Sequence, residues 1–273
     1  MSSIPQYISP HETKSILVEI LNVVDDFCKR NNLRHYLAYG TLIGAIRHRG
    51  FIPWDDDIDI WMPRPDYERF IHSFSHEYLQ FHSMETDIDW PLNFGKVCDH
   101  RYSAIDENGK DFGLFLDIFP LDGVPDDPKQ IDRYLKRIRR WENLWSNQLF
   151  SPRLSVTKNN TLSKNLKIII GKALSVFVPF KSIRQKLINT YPKLKFDESI
   201  FVCYLPGRKF IFERNDFEPA KLANFEGHDY LIPHNYDGIL KKIYGDYMQI
   251  PPEEDRISHG IRAYLKTPQN YEY

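Results

Sequence analysis

The chain has 273 residues, of which 42% are hydrophobic and 14% aromatic, enough for a large core and too apolar for a disordered chain. Its formal charge is −1, but residues 129–195 carry 16 basic side chains against two acidic ones, a net of +14 that leaves the remainder at −15. Three scattered cysteines, Cys28, Cys98 and Cys203, exclude a disulfide framework or zinc ribbon, and no apolar run reaches the roughly 18 residues of a membrane span. The N-terminus lacks a basic start followed by an apolar run, so no secretory signal is expected.

Ser9-Pro10-His11-Glu12 has the form of a capping box with proline at the first helical position. Ile16, Ile20, Val23, Val24 and Phe27 then recur at helical spacing to about Asn31. HYLAYG reads as a short strand, TLIGAIRH as one or two helical turns, and DIDIWM as a strand alternating acid and apolar residue. Pro65 opens a helix expected over Asp66 to Leu79, and NFGKVCDH and LFLDIFPLD read as further strands. This order predicts an α/β (α+β) fold: a mixed sheet with flanking helices. From Pro128 a basic helix begins, KQIDRYLKRIRRWENLW, and Asn165 to Ile188 reads as a second helical stretch. The last helix is expected in YDGILKKIYGDYM. Three parts are predicted: a catalytic core over 1–128, a basic helical insertion over 129–196, and a C-terminal part over 197–273 that completes the active site.

The stretch GFIPWDDDIDIWMPR packs Asp55, Asp56, Asp57 and Asp59 together and then returns to apolar residues. Strand alternation sets Asp57 and Asp59 on one face, about 7 Å apart. Two carboxylates so placed repel each other unless a cation sits between them, and oxygen ligands suit Mg²⁺ or Mn²⁺. An EF-hand is excluded, because Ile60 and Asp66 stand where that loop needs glycine and glutamate. A sugar-nucleotide transferase with a DxD is disfavoured, since no nucleotide-binding α/β half precedes the motif. Upstream, Gly40-Thr41 lies at a strand-to-helix turn, where backbone N–H groups can approach a phosphate. Asp117 in LFLDIF is the candidate third carboxylate on a later strand.

A glycine-hydroxyl turn followed by such a strand resembles the nucleotidyltransferase (polymerase-beta-like) superfamily. Tyr39 to Phe70, with FGKVCDH, FLDIFPLDGV and PPEEDRISHG, resembles the LicD/fukutin-related family more closely still. The resemblance covers about Arg34 to Pro125 and Asn224 to Gly260, and the basic middle matches only loosely. It implies transfer of phosphocholine from CDP-choline, or of another phospho-alcohol such as ribitol phosphate, to a glycan hydroxyl with release of CMP. A CDP-glycerol donor, or an NTP-using nucleotidyltransferase of the same fold, is the alternative. Asp57, Asp59 and Asp117 would hold Mg²⁺ (or Mn²⁺), with Asp56 or Asp55 orienting the hydroxyl. Gly40, Thr41, Arg47, Lys96, Arg256 and His259 are the candidates for phosphate or acceptor contacts. Trp54 and Trp61 are candidates for an aromatic cage around a quaternary ammonium. The basic middle fits peripheral contact with an anionic membrane and a lipid-linked acceptor, so a cytoplasmic protein on the inner face is expected. No RRM or KH motif accompanies the charge, and no nucleic acid partner is expected.

Overall fold

The computed structural model describes residues 6–105, 111–149, 170, 173, 178–190, 194–204, 210–256, 258 and 260–266. A two-residue strand, β1 (Gln6–Tyr7), leads into α1 (Pro10–Asn31). The expected capping box opens this helix: Ser9 Oγ accepts from the Glu12 N–H, and the Glu12 carboxylate accepts from the Ser9 N–H. Asn32, in left-handed geometry, closes it. The buried stripe of α1 is Leu17, Ile20, Leu21, Val24 and Cys28, rotated slightly from the expected one, so that Ile16, Val23 and Phe27 are only partly covered.

The N-terminal half continues with β2 (Tyr36–Leu37), α2 (Tyr39–Arg47), β3 (Asp59–Pro63), α3 (Arg64–Ser73) and β4 (Leu79–His82). It ends with β5 (Gly95–Asp99), β6 (Tyr102–Ala104) and the long β7 (Leu114–Val124). Then come α4 (Pro128–Leu149) and, further along the chain, α5 (Phe180–Ile188), packed on one another. The rest comprises β8 (Phe201–Cys203), β9 (Ile211–Glu213), the hairpin of β10 (Lys221–Phe225) and β11 (His228–Ile232), α6 (Tyr236–Tyr244) and β12 (Ala263–Leu265).

The central sheet runs β2-β3-β7-β5-β4 and is mixed. β3 and β7 are parallel, with Asp59 opposite Asp117, while β5 lies antiparallel to β7 with Lys96 opposite Asp117. The far end of β7 pairs with β8, and β8 with β9, so the C-terminal region extends the sheet of the N-terminal half. Ile58, Ile60, Met62, Leu116 and Ile118 are fully buried beside Leu17, Leu21 and Val24 of α1 in one core. The fold is therefore the α/β mixed sheet expected of a nucleotidyltransferase-like chain.

Two local expectations change. The helix after Pro65 stops at Ser73, and Leu79–His82 is instead a strand antiparallel to β5. Only Asp59 to Met62 of DIDIWM are regular strand; Asp57 and Ile58 approach it as irregular chain, although Ile58 O already accepts the Asp117 N–H at 2.9 Å. The second helical stretch lies outside the described residues apart from the helical residues 170 and 173 and its C-terminal end, where α5 forms.

Candidate active site

The site is assembled where β3 and β7 run side by side. Parallel register brings Asp59, the first residue of β3, level with Asp117 in β7, and Asp57 joins them from the approach to β3. Each of the three offers a carboxylate oxygen within 4.8 Å of the others, a spacing suited to one cation. Asp59 and Asp117 are buried and Asp57 is half-buried. Burial pushes Asp59 well above the ordinary carboxylate range, and the charges of Asp57, Asp117 and Asp55 push it further, with Lys96 opposing. Lys96 Nζ donates to Asp117 Oδ1 at 2.5 Å and lies 3.3 Å from the centre of the Phe115 ring. One ammonium against three carboxylates leaves an excess of negative charge, and the all-oxygen donor set fits a hard divalent ion.

The glycine turn serves this cluster from behind. Gly40 and Thr41 lie in the first turn of α2. Thr41 is buried, and its Oγ1 accepts the Asp59 N–H at 2.9 Å, which fixes the start of β3. A Cβ on Gly40 would run into Asp55 Oδ2, so glycine there lets a fourth carboxylate approach. Burial raises the Asp55 pKa, opposed by its hydrogen bond to Asp57. Tyr39, which opens α2, has φ 43°, left-handed backbone that a bulky residue seldom adopts.

The other predicted residues are spread around this centre. Asp56 Oδ2 accepts the Ile261 N–H at 2.9 Å and the Ser258 hydroxyl at 3.1 Å, tying the C-terminal segment to the acidic motif. Arg47 stands at the opposite end of α2 from Gly40, roughly 10 Å along its axis. Its guanidinium donates to the carbonyls of Tyr247 and Gln249 and to His48 Nε2, and so fastens α2 to the chain after α6. Arg256 donates through Nε to Pro251 O at 3.1 Å, and its guanidinium lies 4.7 Å from the centre of the Trp54 ring. His259 lies outside the described residues.

A cage made of Trp54 and Trp61 is not formed. The Trp54 ring is engaged by the Arg256 cation, and Trp61 is fully buried against Tyr39, Phe212 and Phe217. Tyr244, at the end of α6, was not singled out by the sequence. Its phenol is pushed up by burial and then by the charges of Asp59, Asp55 and Asp57, which places it beside the acidic cluster. Its signal in the sequence is an ordinary helical tyrosine, and only the packing of α6 on α2 brings it here.

The nucleotidyltransferase domain described as LicD/FKTN/FKRP matches residues 32–148, which contain all three carboxylates. The chain is also 35% identical over 264 residues to the "Lipopolysaccharide cholinephosphotransferase LicD" of Haemophilus influenzae, a match covering 93% of this chain and 97% of that protein. An uncharacterized protein of Rickettsia typhi is 37% identical over 54 residues, 20% of this chain and 18% of its own. A carboxylate cluster at this register, and similarity along nearly the whole of both chains, lead to one assignment: the chain belongs to the LicD/FKTN/FKRP family.

Proposed function

We propose that this protein transfers phosphocholine from CDP-choline to a hydroxyl of a cell-surface glycan or its lipid-linked precursor, releasing CMP. The observation that carries the reading is the triad of Asp57, Asp59 and Asp117, in a chain 35% identical to a cholinephosphotransferase over nearly its whole length. These residues would hold Mg²⁺ or Mn²⁺, which when bound supplies neutralisation of the diphosphate charge as CMP departs. Thr41 keeps Asp59 in place through its backbone N–H, and Lys96 restrains Asp117. The first turn of α2, at Gly40 and Thr41, presents backbone N–H groups toward the donor phosphates, with Lys96 the adjacent cation. Arg47 and Arg256 belong to the surrounding shell in this reading, and His259 is kept as a candidate for a phosphate or acceptor contact.

In the reaction the acceptor oxygen forms a bond to the phosphorus bearing choline, and the bond from that phosphorus to the bridging oxygen breaks. CMP leaves with the electron pair, and the hydroxyl proton passes to a carboxylate outside the triad, Asp55 or Asp56. The protein works at the inner face of the membrane, where the basic helical region makes peripheral contact with anionic lipid. No helix among the described residues is long and apolar enough to cross a bilayer.

The test is to incubate the protein with Mg²⁺, an acceptor glycan and a panel of CDP-alcohols, and to identify the products. CMP and a phosphocholine-bearing glycan are expected from CDP-choline. Turnover only with CDP-ribitol or CDP-glycerol would move the assignment to a polyol donor. Pyrophosphate released from an NTP would replace it with nucleotidyl transfer.

A further inference from the structure

The sheet face that carries the triad continues into aromatic side chains. Residues two apart on a strand share a face, about 7 Å along it. Two beyond Asp59 stands Trp61, and two beyond Asp117, opposite Trp61 in register, stands Phe119. Just before the neighbouring strand β5, Phe94 lies two residues ahead of Lys96 and packs its ring 4.6 Å from that of Phe119. A row of charges is thus followed, one repeat on, by a row of rings. Trp61 is wholly buried and serves as its floor. Tyr39 and Tyr204 close round Phe119 at 5.1 and 4.7 Å, inclined to it by 87° and 61°. Phe94 and Tyr39 remain partly exposed. Rings in contact at such inclinations form an uneven aromatic wall rather than a flat platform for stacking a base.

Two observations separate this group from ordinary core. Tyr39 holds left-handed backbone, and its hydroxyl is buried without a hydrogen-bond partner. Such strain persists where the surroundings over-determine it, and it clusters at ligand sites. The Trp61 indole N–H faces that hydroxyl but the two do not reach hydrogen-bond geometry. Second, one ring of the group already faces a cation beside the triad: the Lys96 ammonium lies 5.3 Å from the centre of the Phe94 ring.

We propose that Phe94, Tyr39 and Phe119, with Tyr204 behind them, form the subsite for the trimethylammonium group of choline, while the phosphate lies over the carboxylates. The phosphorus and nitrogen of phosphocholine are four bonds apart, a reach that fits within one strand repeat. A quaternary ammonium gains from aromatic faces. The hydroxyls of ribitol or glycerol would lose water against these rings without a partner to replace it. The assignment rests on the phosphocholine reading above and makes this wall the origin of choline selectivity.

The test compares CDP-choline with the CDP ester of dimethylbutanol, the uncharged carbon analogue of choline. Wild type should prefer the cation by about 5- to 30-fold in kcat/KM, the range of a desolvated cation–π contact. Phe94→Leu should bring that ratio towards one, chiefly through KM, while Phe94→Tyr should retain it. Thermal melts establish that each variant is folded. Calorimetric binding of phosphocholine against dimethylbutyl phosphate gives the same comparison without turnover, so failure of the donor reading is seen separately from failure of the subsite. No preference for the charged ligand in wild type would overturn the subsite. So would a preference that survives in both Phe94→Leu and Tyr39→Leu.

Discussion

Thr41 shows how a single side chain sets the geometry of the site. The sequence pairs it with Gly40 as a phosphate-binding turn, yet its hydroxyl accepts the backbone N–H of Asp59. Thr41→Val keeps the shape and leaves that N–H buried and unpaired, a loss of about 1–3 kcal/mol in urea unfolding. Transfer should fall as Asp59 shifts, and Thr41→Ser should restore both quantities. Equal stability in the valine variant would show that another group satisfies the N–H. Asp57, Asp59 and Asp117 were legible in the sequence because acidic residues inside apolar runs demand a reason. The partner of Lys96 was not legible, since its pairing with Asp117 depends on which strand lies beside which. Nor was the engagement of Trp54 by Arg256, two residues far apart in the chain.

At the scale of elements, α3 is joined to the sheet by a buried ion pair. Arg64, the first residue of α3, donates to Asp122 of β7 through Nε at 2.6 Å and through a second nitrogen at 2.9 Å, and both residues are buried. Arg64→Met would leave the Asp122 charge buried and unpaired, a loss of about 3–5 kcal/mol. The double variant Arg64→Met, Asp122→Leu should recover much of it, as chemical denaturation would reveal. A single variant as stable as wild type would contradict this pairing. The sequence legibly supplied α1, α2, β3, β5, β7, α4 and α6, whose local patterns are strong. It extended α3 to Leu79, whereas Leu79–His82 takes its structure from pairing with β5, a partner that local periodicity cannot reveal.

For the whole molecule, charge is divided as the sequence indicates, and the structure gives part of it a direction. Lys129, Arg133, Lys136, Arg137 and Arg140 are all exposed and recur at helical spacing along α4. Ile131, Leu135, Ile138 and Trp145 line its opposite, buried side. At about 1 kcal/mol per basic residue near an anionic surface, neutralising Arg133, Lys136 and Arg140 with glutamine should weaken binding to phosphatidylglycerol vesicles on the order of 100-fold. Neutralising Lys29, Lys221 and Lys241 instead should change it little. Equal effects of the two triples, read by vesicle co-sedimentation, would mean that net charge rather than this stripe governs the contact. The acidic remainder holds the carboxylate triad, and in the proposed function its three carboxylates make transfer depend on a divalent ion. The most direct measurement is CMP release from CDP-choline with an acceptor glycan, comparing wild type with Asp59→Asn as Mg²⁺ is removed by a chelator and returned. Wild type should stop without the ion and resume with it, while folded Asp59→Asn should be slower by about 100-fold or more, the scale of a lost group that stabilises transition-state charge. Turnover by wild type that ignores the chelator, or near-normal turnover by Asp59→Asn, would contradict the account.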